Sequence, residues 1–375
     1  MAKERIIVYG IWSLEIRRAI EFFLDEKNYE IIGYSDTNAD SDTLDHRSFF
    51  KTDELSKVDF DYILIAAIKY ADRIIEVLHT YGISDNKILI PDYLLPDTLI
   101  KKIPDRVRTI SSLEKNYDSL ILGMSYSFLG IDKNLLNFSC LDLSAPSLDL
   151  YYNLRLCEFF LRQKRHIFEA IRNIYIVIPY YFFNFDMSLS TNAYINGCQA
   201  SIAGLGDWHN SDKNPVASKY IPLIKMFSEK ITEFYDCNDG YFLYQNCVSE
   251  EHSLTWKSVL KNDYEDTISE NIQISKSLLN LFSSANRNIF FIVPPAYVVG
   301  LDEKSLEGAE RKKNRFYKII DELRASCDCG FELVDCFELF GNDGALFFDA
   351  DHLNNAGQKK FTEYINATLI DVKDA

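Results

Sequence analysis

Proline is scarce in this chain, at 9 of 375 residues, and glycine is little more frequent at 15. Disordered tails and low-complexity linkers are rich in both, so the composition carries no sign of disorder. Basic charge is also short. Lys and Arg number 40 against 56 Asp and Glu, a formal net charge of −16, and no block of basic residues could neutralise a run of phosphates. Nucleic acid and anionic lipid are thereby disfavoured as partners. Long apolar runs are missing as well: Ile174 to Phe183 is interrupted by Pro179 and falls far short of the ~20 residues of a membrane-spanning helix. The opening apolar stretch, Ile6 to Tyr9, is broken at Gly10 and followed by Glu15 and Arg17, which is not the layout of a signal peptide. The expectation is a cytoplasmic protein with no membrane span. Its eight cysteines then read as reduced thiols rather than a disulfide framework. Cys327 and Cys329 form a C-x-C pair with no His in the thirty residues upstream or ten downstream, so no metal is assigned there.

What is present is apolar material: 47% hydrophobic and 14% aromatic residues. At ~150 residues per domain the length suggests two to three domains, enough for one large core and one small one. Residues 5–90 alternate in type. Arg5–Tyr9, Tyr29–Tyr34, Asp61–Ala66 and Lys87–Ile90 read as strands. Ile16, Ala19, Ile20 and Phe23 recur at helical spacing, and 71–81 reads as a helix through Ile74, Ile75 and Leu78. Strands alternating with helices imply right-handed crossovers and a parallel sheet covered on both faces. The first domain is therefore a small α/β unit of Rossmann-like type over residues 1–92.

Its first turn, Gly10-Ile-Trp-Ser-Leu-Glu15, keeps only the first glycine of the G-x-G-x-x-G pattern, which brings backbone close to a pyrophosphate. Trp12 and Glu15 put bulk and negative charge where the other two belong, so no dinucleotide cofactor is expected. Through Glu30-Ile-Ile-Gly-Tyr-Ser-Asp36 and Tyr62-Ile-Leu-Ile-Ala-Ala67, the segment resembles the N-terminal Rossmann-like domain of sugar acyltransferases and other polysaccharide-modifying enzymes. That resemblance implies a nucleotide-sugar site or, with the glycines lost, a structural or docking domain.

Residues 93–115 lose the rhythm and read as a linker, with Pro96, Pro104 and basic residues at 101, 102, 106 and 108. A second alternation fills residues 116–375. Strands are expected at Ser119–Leu122, Ser139–Leu143, Ile174–Pro179, Asn288–Val293 and Phe331–Asp335. Helices are expected at 149–162, 267–282, 306–323 and 358–370, with a long irregular stretch between 180 and 266.

Two segments of this domain fall where an open α/β sheet places ligands, beyond the carboxyl ends of its strands. Gly123-Met-Ser-Tyr-Ser-Phe-Leu-Gly130 follows the first strand, so a sharp exit at Gly123 would project Ser125 into the crevice. Ser125 or Ser127 could equally cap a helix there. Phe347-Phe-Asp-Ala-Asp-His-Leu-Asn354 follows the last strand, and Asp349 can orient His352 three residues on, the task of the acid in a Ser-His-Asp triad.

With both motifs on one sheet, residues 116–372 resemble the SGNH (GDSL-type) hydrolase superfamily, in its branch of carbohydrate O-acyltransferases and D-alanyl-transfer proteins of cell walls. The resemblance implies a flavodoxin-like α/β/α fold. It also implies catalysis by Ser125 as nucleophile, His352 as base and Asp349 as orienting acid, with Ser127 the second choice and Asp351 facing solvent. The family draws oxyanion donors from a Gly after the second strand and an Asn after the third. Here Leu143-Ser-Ala-Pro-Ser-Leu-Asp149 has no Gly, and Asn184 sits a few residues late for the Asn role.

The aromatic cluster of Tyr180, Tyr181, Phe182, Phe183 and Phe185 reads as core before sugar platform. Asp207 and His209, in a Gly-bounded loop, lack a third metal ligand, so that segment reads as a substrate-covering loop. His46, His79, His166 and His252 read as surface or structural. The function implied is a serine esterase or O-acyltransferase acting on a carbohydrate, in cell-surface polysaccharide modification. Its partner is a carbohydrate or acyl-ester substrate, with a homo-oligomer also allowed. The alternative is an SGNH-fold binding or scaffold protein whose oxyanion hole has decayed.

Overall fold

A computed structural model describes residues 2–37, 43–94, 106–189, 209–213, 217–234, 262–283, 287–299, 301–341 and 343–370. The chain forms two units, Met1–Asp105 with Ser188–Asn238, and Arg106–Met187 with Asp239–Ala375.

In the first unit β1 (Glu4–Tyr9), α1 (Leu14–Phe23), β2 (Tyr29–Ser35), β3 (Thr43–Leu44), β4 (Arg47–Phe50), β5 (Tyr62–Ile65), α2 (Ala71–Thr80) and β6 (Ile88–Leu89) follow one another. The sheet order is β3-β4-β2-β1-β5-β6. Every pairing is parallel except β3 with β4. Alternate residues of β1 feed opposite faces. Ile6 and Val8 pack with Ile16, Ile20 and Phe23 of α1, and Ile7 and Tyr9 with Ala71, Ile74 and Leu78 of α2. The four expected strands are all present. The β3–β4 hairpin departs from the expectation, because Thr43–Leu44 and Arg47-Ser-Phe-Phe50 contain no apolar run long enough to read as a strand. Its turn also holds Asp45 and His46 at φ 51° and 65°, a conformation more often signalled by Asn-Gly.

A further helix, α7 (Ala217–Phe234), belongs to this unit. Leu223, Ile224, Met226 and Phe227 are buried in the same cluster as Ile6, Val8, Ile16 and Leu64. Each such side chain contributes about 1.5–3 kcal/mol on burial. The Asp25 N–H donates to the Met226 carbonyl at 2.7 Å, and Tyr220 Oη to Asp92 at 3.2 Å. The expected boundaries, 1–92, a linker at 93–115 and a second domain over 116–375, are corrected accordingly. An amphipathic helix declares that one face must be buried, but not on which sheet.

The second unit contains α3 (Arg106–Ser111), β7 (Ser119–Gly123), α4 (Ser125–Gly130), β8 (Cys140–Asp142), α5 (Leu150–Gln163), α6 (Arg165–Ala170) and β9 (Asn173–Val177). It continues with α8 (Glu265–Phe282), β10 (Asn288–Val293), α9 (Glu303–Ser326), β11 (Glu332–Asp335) and α10 (Asn355–Ile370). Helix α3 lies within the expected linker. It is fastened by buried Arg106, whose Nε donates to the Ser144 carbonyl at 2.8 Å and whose guanidinium also reaches Asp142 at 3.2 Å. The five strands run parallel in the order β11-β10-β9-β7-β8. Numbered within the unit this is 2-1-3-4-5, the flavodoxin-like order, which places the topological switch point between β7 and β9. Strands β7 and β9 are buried at every residue, as expected of central parallel strands covered on both faces.

Candidate active site

Strand β7 ends at the switch point, and the backbone there is tightly held. Gly123 has φ +139°, and a Cβ on it would lie 2.5 Å from the Val177 carbonyl oxygen on β9. Its N–H donates to Asn153 Oδ1 at 2.9 Å. The same carboxamide donates to the Asp149 carbonyl at 2.8 Å, so a single buried side chain joins the end of β7 to the start of α5. Asp149 in turn caps α5, accepting from the Tyr152 N–H at 3.1 Å. Ser125 opens α4 immediately beyond Gly123 and is half-buried. Ser127 points the other way. It is buried and donates to the Met124 carbonyl at 2.8 Å, which leaves it a structural hydroxyl.

The second half of the site comes from the loop before α10. Phe347 and Leu353 form an antiparallel bridge, and the Phe348 N–H donates to the His352 carbonyl at 2.8 Å. Asn354, buried at the loop's base, donates to the Ala345 carbonyl at 2.8 Å and accepts from the Ala356 and Gly357 N–H groups at 3.0 and 3.1 Å. The closed loop aims Asp349 and His352 at one another. His352 Nδ1 lies 3.0 Å from each Asp349 carboxylate oxygen, and His352 Nε2 lies 2.9 Å from Ser125 Oγ. Asp349 Oδ1 also accepts from the backbone N–H groups of Asp351 and His352 at 2.8 and 2.7 Å. An ionised carboxylate only accepts, so Nδ1 carries the ring proton and the Nε2 lone pair faces the serine hydroxyl.

The electrostatics fit that arrangement. Burial alone pushes the Asp349 carboxyl up, but the hydrogen bond and charge of His352, with the two backbone donors, outweigh it and hold it below the usual carboxylate value. For His352 burial is again the largest single influence and lowers its pKa. The hydrogen bond to Asp349 and the charges of Asp349 and Asp351 together raise it above 6.5.

Two expectations are corrected here. Asp351 does not face solvent: it is 1% exposed, and its charge raises the pKa of the buried Tyr126 and Tyr181 hydroxyls after their desolvation. Asn184, expected as an oxyanion donor, is engaged at both ends of its carboxamide. Its Nδ2 donates to the Asn262 carbonyl at 3.0 Å and its Oδ1 accepts from the Tyr264 N–H at 2.7 Å, so the carboxamide tethers the segment that leads into α8. The loop after β8 is also largely committed. The Ser144 N–H goes to Asp142 at 2.9 Å, and the Ala145 N–H reaches the Gly123 carbonyl at 3.4 Å.

Of the aromatic cluster, Tyr180 to Phe183 are buried as core. The hydroxyls of Tyr180 and Tyr181 nonetheless find Asp335 at 2.6 Å and Tyr126 Oη at 3.0 Å. His79 pairs with Asp85 on the surface at 2.8 Å, and His209 Nε2 lies 3.2 Å from Asn210 Nδ2. Asp207 and His252 lie outside the described residues. Tyr126, Asn153 and Asn354 shape the site without having been singled out as site residues. A Tyr beside a candidate nucleophile and two Asn residues near loop ends carry no spacing signal of their own.

Residues 2–89 match the C2185-like N-terminal family. No match was found among curated proteins. Among solved structures the chain is similar to a protein described as a proposed platelet activating factor from Streptococcus pneumonia. The two share 10% identity over 72% of this chain and 91% of that one, with a TM-score of 0.37. No helix among the described residues is long and apolar enough to cross a membrane.

Proposed function

We propose that the second unit is an SGNH-type serine esterase or O-acyltransferase acting on an acylated carbohydrate. The observation that carries this reading is the hydrogen-bonded chain Ser125–His352–Asp349, whose serine and histidine are 227 positions apart in sequence. In the reaction, Ser125 Oγ attacks the ester carbonyl carbon while its proton passes to His352 Nε2. Asp349 stabilises the resulting imidazolium and holds its tautomer. Collapse of the tetrahedral intermediate breaks the carbon–oxygen bond to the alcohol, which takes the proton from His352 and leaves Ser125 acylated. Water or a sugar hydroxyl then gives its proton to His352, attacks the acyl carbon and returns Ser125 to the free hydroxyl. The same three side chains serve hydrolysis and transfer alike. A carbohydrate substrate in cell-surface polysaccharide modification, and a cytoplasmic location, follow from the sequence resemblances of the two domains and from composition.

The commitment of Asn184 to residues 262–264 favours a second reading, a binding protein on the same scaffold, because loss of one oxyanion donor costs about 10²–10³ in rate. A serine-directed fluorophosphonate separates the two. Mass spectrometry should find the adduct on Ser125, with none on a Ser125→Ala variant. Wild-type protein that stays unlabelled would overturn the enzymatic reading in favour of the binding one.

A further inference from the structure

We propose that Tyr126 is a positioning residue for His352, its ring holding the imidazole in the plane from which Nε2 meets Ser125, with Tyr181 holding Tyr126 in turn. This rests on the reading of Ser125, His352 and Asp349 as a catalytic chain.

Asp349 grips one edge of the imidazole, through Nδ1. That leaves the ring able to swing about its bond to Cβ, and a modest swing would carry Nε2 away from Oγ. The face of the ring is where such a swing is blocked. Tyr126 lies there, with ring centroids 5.1 Å apart and planes 17° from parallel, an offset stack of the kind aromatic pairs favour. Tyr126 is buried, and its hydroxyl lies 3.0 Å from that of Tyr181. Both hydroxyls keep their protons throughout the neutral range, because burial and then the charge of Asp351 push their pKa values up. The link therefore persists at any working pH. Beside them Tyr126, Tyr180, Tyr181, Pro294, Pro295 and Asp351 line a cavity of about 10 Å³, room for a single water and no more.

The same contact acts on charge. When His352 takes the serine proton it becomes a cation over the electron-rich face of a phenol ring, which favours the protonated form. The groups facing His352 are Asp349 at Nδ1, Asp351 from the same loop, Ser125 at Nε2 and the Tyr126 ring. Replacing Tyr126 by Leu removes only the last.

The test is an NMR titration of the His352 imidazole in the full chain, alongside steady-state kinetics on an activated ester. Tyr126→Leu should lower the His352 midpoint by about half a pH unit and kcat by roughly tenfold with KM unchanged. Tyr126→Phe, which keeps the ring, should restore the midpoint and most of kcat. A merely structural role gives the opposite sign, because water entering the gap would relieve the burial that lowers the His352 pKa and so raise the midpoint. A midpoint that rises or stays in Tyr126→Leu overturns the proposal. Should Tyr126→Leu fail to fold, Tyr126→Phe and Tyr181→Phe replace it. Each should lower kcat by the same small factor, and the double variant should do no worse, since both cut one hydroxyl link. Additive losses would overturn the tether. The NMR midpoint is read without turnover, so failure to label Ser125 and failure of the stack are separate results.

Discussion

The two units begin alike and diverge within three residues. In each, the central first strand leaves its parallel sheet at a glycine of positive φ, Gly10 at +93° and Gly123 at +139°. In each, a neighbouring chain segment stands where a Cβ would be: Ala67 Cβ at 2.5 Å from the first, the Val177 carbonyl at 2.5 Å from the second. After Gly123, Ser125 meets His352 delivered by the last loop of its unit. After Gly10, the Ile11 N–H is taken by Asp36 at 3.2 Å and Trp12 stands 76% exposed. Parallel-sheet geometry demands the glycine in both places. A hydrogen-bonded chain of serine, histidine and aspartate forms only where a second loop brings a complementary group to the same strand end.

The largest effects should separate the two ends cleanly. Asp349→Asn should lower turnover of an activated ester by about 10⁴-fold with far-UV circular dichroism unchanged, because an amide favours the wrong imidazole tautomer. In the wild type activity should rise with pH through a midpoint above 6.5, since the base must be neutral and the carboxylates outweigh burial at His352. In Asp349→Asn that midpoint should move down. Asp36→Asn, which alters the carboxylate that takes the Ile11 N–H beyond β1 of the first unit, should leave turnover alone, and a matching loss there would break the contrast.

Next in size is Phe227→Ala, which empties a fully buried site in the first unit and should cost about 3–5 kcal/mol. Hydrogen exchange should show protection falling in β1 and β5 while β7 and β9 keep theirs. Loss in β7 and β9 of the same size would mean that α7 does not belong to the first core alone.

Gly10→Ala and Gly123→Ala should each lower stability by about 1–3 kcal/mol by denaturant titration. Only the second should also reduce ester turnover, because only there does the backbone set the serine proposed as nucleophile. Equal loss of activity in both variants would show the first turn to be part of the site.

The smallest effect is expected at Trp12→Ala, within about 0.5 kcal/mol of wild type by thermal melting. Calorimetry with NAD or NADP should give no micromolar binding to the wild type, because the amide nearest the strand end already serves Asp36 and the glycines that would admit a pyrophosphate are absent. Micromolar binding lost in Asp36→Ala would reverse that conclusion.

What the sequence determined by itself was local. Apolar runs bounded by turn residues marked β1, β2, β5 and β6 of the first sheet and all five strands of the second, because a parallel strand buried on both faces must be apolar nearly throughout. Ser125, Asp349 and His352 were legible because each sits in a short motif beside a strand end, where sheet topology converges. Tertiary structure decided the rest. Helix α7 joined the first sheet because its apolar face required burial without naming a partner. Asn184 was drawn to Asn262 and Tyr264, about 80 positions along the chain, since a buried carboxamide takes whichever backbone groups packing brings within reach. Asp351, polar and two residues from Asp349, ended buried because the loop that aims His352 at Ser125 must turn its neighbour inward. That pairing of constraints exists only once the chain is folded.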